Sequence, residues 1–71
     1  MADEMLCKTC GKAADTLFYR RGSSEETVMC GPHGRQFVRS GDAAGWLSQS
    51  ANTAASPTGR AIRSHLQAAS G

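Results

Sequence analysis

The residues able to do chemistry fall in two short motifs. Cys7-Lys8-Thr9-Cys10-Gly11-Lys12 and Cys30-Gly31-Pro32-His33-Gly34-Arg35 each set two soft ligands two residues apart, followed by a glycine and a base. That gap lets both side chains converge on one ion while backbone N–H groups turn toward the sulfurs. Glycine after the second ligand tolerates the positive φ of so tight a turn. Cys7, Cys10, Cys30 and His33, spaced C-x2-C-x19-C-x2-H, make up a closed tetrahedral Cys3His set for one Zn2+. With no position left for water, the ion reads as structural and not catalytic.

Other uses of these cysteines fit less well. Three thiols would leave one unpaired in a disulfide framework, and a reducing compartment favours metal ligation. A redox Cys-x-x-Cys needs a βαβ setting with its first cysteine at a helix N-terminus. Here no strand of useful length precedes Cys7, and Gly11 follows the pair directly. His65 is the alternative fourth ligand, but it stands in a different segment with no cysteine near it.

The elements that must position these ligands are short. Thr16-Leu17-Phe18-Tyr19-Arg20 and Thr27-Val28-Met29-Cys30 are β-branched and aromatic, with the turn cluster Arg21-Gly22-Ser23-Ser24 between them. They read as a β-hairpin whose second strand delivers Cys30, with Leu17, Tyr19 and Val28 on the covered face. After His33, Gly34-Arg35-Gln36-Phe37-Val38-Arg39 either forms a short helix, giving a treble clef, or stays extended, giving a zinc ribbon. Pro32 suits a first helical turn and Gly41 could end the helix, which favours the treble clef. The fold class expected is a small metal-stabilised α+β domain, zinc ribbon or treble clef, with a partly helical C-terminal tail.

The segment Cys7–Phe37, CKTCGKAADTLFYRRGSSEETVMCGPHGRQF, resembles the small C-x2-C-G…C-x2-H zinc-ribbon-like proteins common in actinobacteria and their phages. The resemblance implies a Gly-Ala-rich stretch after the first knuckle, then a hairpin, then a C-x-x-H pair opening a helix. It implies Cys7, Cys10, Cys30 and His33 as ligands, and it specifies zinc better than function. Enrichment in Ala, Gly, Arg and Ser is compatible with a GC-rich genome.

Size and composition limit what such a chain can be. It has 71 residues, 39% hydrophobic but with only four aromatics, Phe18, Tyr19, Phe37 and Trp46. A core of that size supplies roughly 3–5 kcal/mol at most, so a metal staple is expected. The same shortage disfavours an enzyme with a buried pocket and a small-molecule substrate. The acidic start, Met1-Ala2-Asp3-Glu4-Met5-Leu6, lacks the base and apolar core of a signal peptide, and no run is long enough to span a membrane. A cytoplasmic protein is the expectation.

Three segments follow from composition: a zinc-binding domain over 1–39, a small polar linker over 40–56 with a Trp46-Leu47 anchor, and a short helix or flexible tail over 57–71. Ser56-Pro57 reads as an N-cap with proline at the first helical position. Ile62 and Leu66 share one helical face, and a helix this short folds only by docking on its own domain or on a partner. Trp46 either closes the small core or serves as an exposed anchor.

The function expected is binding, not catalysis, through a protein–protein interaction as an adaptor, regulator or inhibitor. Trp46, Leu47, Ile62 and Leu66 are its candidate contacts. The alternative is a nucleic-acid-binding zinc ribbon using Arg20, Arg21, Arg35 and Arg39, with Lys8 and Lys12, on phosphates, and Phe18 or Tyr19 to stack on a base. The net charge of +2 is a weak field, and Glu25 and Glu26 partly cancel Arg20 and Arg21 at the hairpin tip.

Overall fold

The computed structural model describes residues 5–68. The acidic residues 1–4 and the last three of the expected 57–71 tail lie outside the described residues. The elements in order are β1 (Thr16–Arg20), β2 (Glu26–Met29), α1 (Gly31–Arg39), β3 (Trp46–Ser50), α2 (Ala51–Ala55) and α3 (Pro57–Ala68). They form a small α+β fold around one antiparallel sheet of order β2-β1-β3.

The β1–β2 hairpin stands where the β-branched and aromatic runs place it, with Leu17 opposite Val28 and Phe18 opposite Thr27. Alternation along β1 then divides the core. Leu17, Tyr19 and Ala54 are buried on one face, with Met5, Val28 and Leu66 packed against them. Phe18 is buried on the opposite face. Its ring meets Phe37 of α1 edge-on at 4.9 Å between centroids, and Phe37 meets Trp46 at 5.9 Å. Helix α1 therefore covers one face of the sheet while α2 and α3 cover the other.

Residues 40–56 depart from the linker expected of them. Trp46–Ser50 is a third strand, pairing Leu47 with Tyr19 and Ser48 with Phe18. Ala51–Ala55 is a helical turn and a half, capped by the Ser50 hydroxyl accepting from the Thr53 N–H at 3.3 Å. The sequence WLSQS has little strand propensity of its own, but β1 offers a free edge, and pairing overrides propensity.

The expected tail helix is present and docks on its own sheet. Ser56 caps α3, its hydroxyl accepting from the Gly59 N–H at 3.0 Å. The α2–α3 corner is so close that a Cβ on Gly59 would lie 1.8 Å from the Thr53 carbonyl oxygen. Arg63 reaches under the sheet from α3. Its Nη1 donates to Gln49 Oε1 at 2.9 Å and to the Ala54 carbonyl at 2.8 Å, and its Nε lies 3.5 Å from Glu26 Oε2. Gln67 donates to the same Glu26 oxygen at 2.7 Å, and the Gly22 N–H donates to the Leu66 carbonyl at 3.0 Å. One helix thus ties β2, β3 and the β1–β2 turn together. No helix among the described residues is long and apolar enough to cross a membrane.

Candidate metal centre

The first ligand pair sits in a tight loop closed by its own backbone. Leu6 and Ala13 form a β-bridge, the Cys7 N–H donates to the Lys12 carbonyl at 2.6 Å, and the Gly11 N–H donates to the Cys7 carbonyl at 2.8 Å. Gly11 has φ +75°, the left-handed conformation that a β-carbon disfavours. The Lys8 N–H then donates to the Val28 carbonyl at 2.9 Å, which fastens this loop to the outer edge of β2.

The second pair straddles a strand-to-helix junction. Cys30 follows β2 directly and is the N-cap of α1, and Pro32 and His33 lie in the first helical turn. The Gly34 N–H donates to the Cys30 carbonyl at 2.7 Å. Gly34 does not play the part of Gly11. It is helical and lies over Phe18, whose ring a Cβ here would meet at 3.7 Å, an ordinary contact, so the position does not require glycine. Gly41, at φ +86°, terminates the helix, its N–H donating to the Val38 carbonyl.

These junctions bring Cys7, Cys10, Cys30 and His33 together, their ligand atoms all within 4.8 Å of one another. Cys10 Sγ is 3.7 Å from Cys30 Sγ, and Cys7 Sγ is 3.6 Å from His33 Nδ1. Zinc–sulfur and zinc–nitrogen bonds of about 2.3 and about 2.05 Å give tetrahedral S–S and S–N edges of about 3.8 and about 3.6 Å. The donor set and its spacing therefore fit a tetrahedral ion, with Nδ1 as the histidine ligand. Cys30 Sγ and His33 Nδ1 stand closer, at 3.1 Å. Cys7 and Cys30 are buried, while Cys10 is exposed and forms the outer wall.

The electrostatics of the cluster call for a cation. At Cys7, burial favours the neutral thiol, but the backbone N–H groups of Cys30, Cys10 and Thr9 and the His33 ring together outweigh it and bring the thiol down to about 5. At Cys10 the Lys12 N–H favours the thiolate, yet desolvation and the Cys7 and Cys30 sulfurs prevail and push the thiol up. Sulfurs this close cannot all ionise without a positive charge among them. His65 is exposed on α3, outside the cluster.

The other residues singled out from sequence do not converge on one place. Arg20 ends β1 with its guanidinium 5.3 Å from the Trp46 ring centroid and 3.8 Å from Glu25. Arg21 is exposed in the following turn. Arg35 and Arg39 lie a turn apart on the exposed side of α1 and line a groove of about 450 Å3 between α1 and the sheet, with Phe18, Val38 and Ser48. Trp46 is half-buried, while Leu47 and Ile62 are exposed. Leu66 is half-buried and packs on Leu17, Tyr19 and Ala54, because the helical period turns it toward the sheet with Gly59 and Arg63.

Glu26, expected to share the hairpin tip with Glu25, instead faces Arg63 and Gln67 from within β2. The Arg63–Gln49–Glu26 network went unseen in the sequence, where only the lack of any other acid for Arg63 within its own segment hinted at a distant partner.

No protein-family model, curated protein or solved structure matches the chain.

Proposed function

We propose that Cys7, Cys10, Cys30 and His33 hold one structural Zn2+ in a treble-clef arrangement, and that the protein acts by binding another protein, as an adaptor or regulator. The order supporting the treble clef is knuckle, hairpin, then a helix carrying the second ligand pair in its first turn. When bound, the ion neutralises clustered thiolates and cross-links the Cys7–Lys12 loop to the β2–α1 junction. The chain's chemistry-bearing side chains are then used in architecture, which supports a binding role over an enzymatic one. A phage or actinobacterial setting rests on the sequence resemblance alone.

The observation that carries the protein-binding reading is the character of the surface. Large apolar side chains stand exposed at Leu6, Val38, Leu47 and Ile62, while two of the arginines are engaged by acids, Arg20 by Glu25 and Arg63 by Glu26. One observation favours a second reading, a nucleic-acid-binding zinc ribbon: Arg35 and Arg39 have no ion-pair partner among the described residues and could contact phosphates.

Titration of duplex DNA, single-stranded DNA and RNA into zinc-loaded protein, followed by fluorescence anisotropy, separates the two. The protein-binding reading expects no association even at low salt. Binding that weakens steeply with salt and is lost in the double variant Arg35→Ala, Arg39→Ala would overturn it in favour of the second.

A further inference from the structure

The two edges of the sheet are treated differently. The outer edge of β2 is occupied, since the Val28 carbonyl accepts from the Lys8 N–H of the metal-binding loop. Among the described residues no hydrogen bond reaches the outer edge of β3 beyond the turn contact from the Trp46 N–H to the Ala43 carbonyl. The strand carries none of the usual protections either: Trp46-Leu47-Ser48-Gln49-Ser50 has no lysine, proline or other charge.

Strand parity identifies the groups left over. Val28 faces away from β1, so its partner Leu17 directs its backbone groups toward Gln49 of β3. The Ala51 N–H, which donates to the Asp15 carbonyl two residues further on, obeys the same alternation. Leu47 and Gln49 therefore bond inward to β1. Ser48, at the middle of the strand, points both its N–H and its carbonyl outward, as Ser50 does its N–H and Trp46 its carbonyl.

Among the described residues, three large exposed apolar side chains flank this edge. Leu47, 37% exposed, lies on the α3 face. Gln67 reaches Glu26 on β2 from one flank of α3, so the helical period puts Ile62, 44% exposed, on the opposite flank, toward β3. On the other face Val38, 58% exposed, shares its groove with Ser48.

We infer that β3 pairs with β3 of a second copy of this chain, antiparallel about a two-fold axis at Ser48, joining two sheets into one of six strands. The two Ser48 residues exchange N–H···O=C bonds, and each Ser50 N–H donates to the Trp46 carbonyl of the other copy. The strand itself is self-consistent in side chains and charge, while Arg35 and Arg39 of α1 stand beside Ser48 in the groove on the other face. An uncharged strand meets no like charge when it pairs with itself, Leu47 falls diagonally across from its symmetry mate on the same face, and Ile62 and Val38 are drawn under cover.

The inference rests on reading this surface as protein-binding and assigns its β3 edge to a second copy of the chain. The test is the mass of the zinc-loaded protein by light scattering after gel filtration, from about 5 to about 500 µM, with amide hydrogen exchange at both ends of that range. The expected result is a mass rising from 7.5 kDa toward twice that. Ser48 and Ser50 amides should gain protection with concentration, while Leu47 and Gln49 stay protected throughout. Leu47→Lys, at an exposed position, should remain folded and monomeric.

A constant monomer mass overturns the inference. So does a dimer in which Ser48 exchanges freely at high concentration, or one that Leu47→Lys leaves intact. None of these results touches the nucleic-acid titration on which the broader reading is judged.

Discussion

Cys30 and His33 stand 3.1 Å apart, sulfur to Nδ1, because one is the N-cap of a helix and the other belongs to its first turn. Their separation is set by helix geometry. The Cys7–Cys10 pair has no such support: its loop is held by a bridge of one residue pair and a few backbone bonds. The cluster is therefore asymmetric, one half built on a packed helix and the other on a loop with few bonds of its own.

Two glycines make contrasting predictions. A Cβ at Gly59 collides with the Thr53 backbone at 1.8 Å, whereas at Gly34 it meets the Phe18 ring at 3.7 Å, an ordinary contact. Gly59→Ala should force α3 away from α2 and cost more than about 3 kcal/mol, or prevent folding. Gly34→Ala should be neutral or stabilising by up to about 1 kcal/mol through helix propensity. Urea denaturation of the zinc-loaded variants checks both, and equal losses would contradict the packing described.

Arg63 carries the polar contacts between α3 and the sheet. Replacing it with methionine keeps the stem and removes the bonds to Gln49 and the Ala54 carbonyl, together with the charge facing Glu26. The expected cost is about 1–3 kcal/mol. Gln67→Ala, at an exposed bond to the same carboxylate, should cost under about 1 kcal/mol. A double-mutant cycle with Glu26→Gln should show coupling for Arg63, and strict additivity would place Glu26 outside the network.

Stability should rise with pH. In the folded chain the Cys7 thiol is lowered from 9.0 to about 5, so between those values the unfolded chain binds more protons than the folded one. This contribution is complete above pH 9.0 and is lost as pH falls through about 5. Zinc binding acts in the same direction, because unfolded thiols must release protons to ligate. Urea midpoints measured in steps from acid to neutral pH should climb, and a flat or falling profile would contradict the thiolate assignment.

The clustering of Cys7, Cys10, Cys30 and His33, the hairpin and the helix after His33 were legible because each has a local signal: paired Cys-x2-Cys and Cys-x2-His spacing, β-branched runs around a Gly-Ser turn, and Pro32 and Gly41 at the helix ends. Strand β3 was not, because Ser48, Gln49 and Ser50 carry no strand signal and the edge of β1 that orders them is 30 residues away in sequence for the Phe18–Ser48 pair. The second knuckle glycine was misread. Gly11 meets a local backbone need at φ +75°, whereas Gly34 is an ordinary helical position packed over Phe18 with room for a Cβ. Leu66 and Arg63 take their roles from the sheet beneath α3 and not from their neighbours.

The central claim is that a metal held by Cys7, Cys10, Cys30 and His33 staples this fold, and zinc-dependent folding tests it most directly. Native mass spectrometry of protein refolded with zinc should show one Zn2+ per chain, and removing it with a chelator should collapse the dispersed amide NMR spectrum, restored on adding the ion back. Cys30→Ser should stay collapsed even with zinc present. A chain that keeps a dispersed spectrum after the chelator, or that takes up no zinc, would contradict the account.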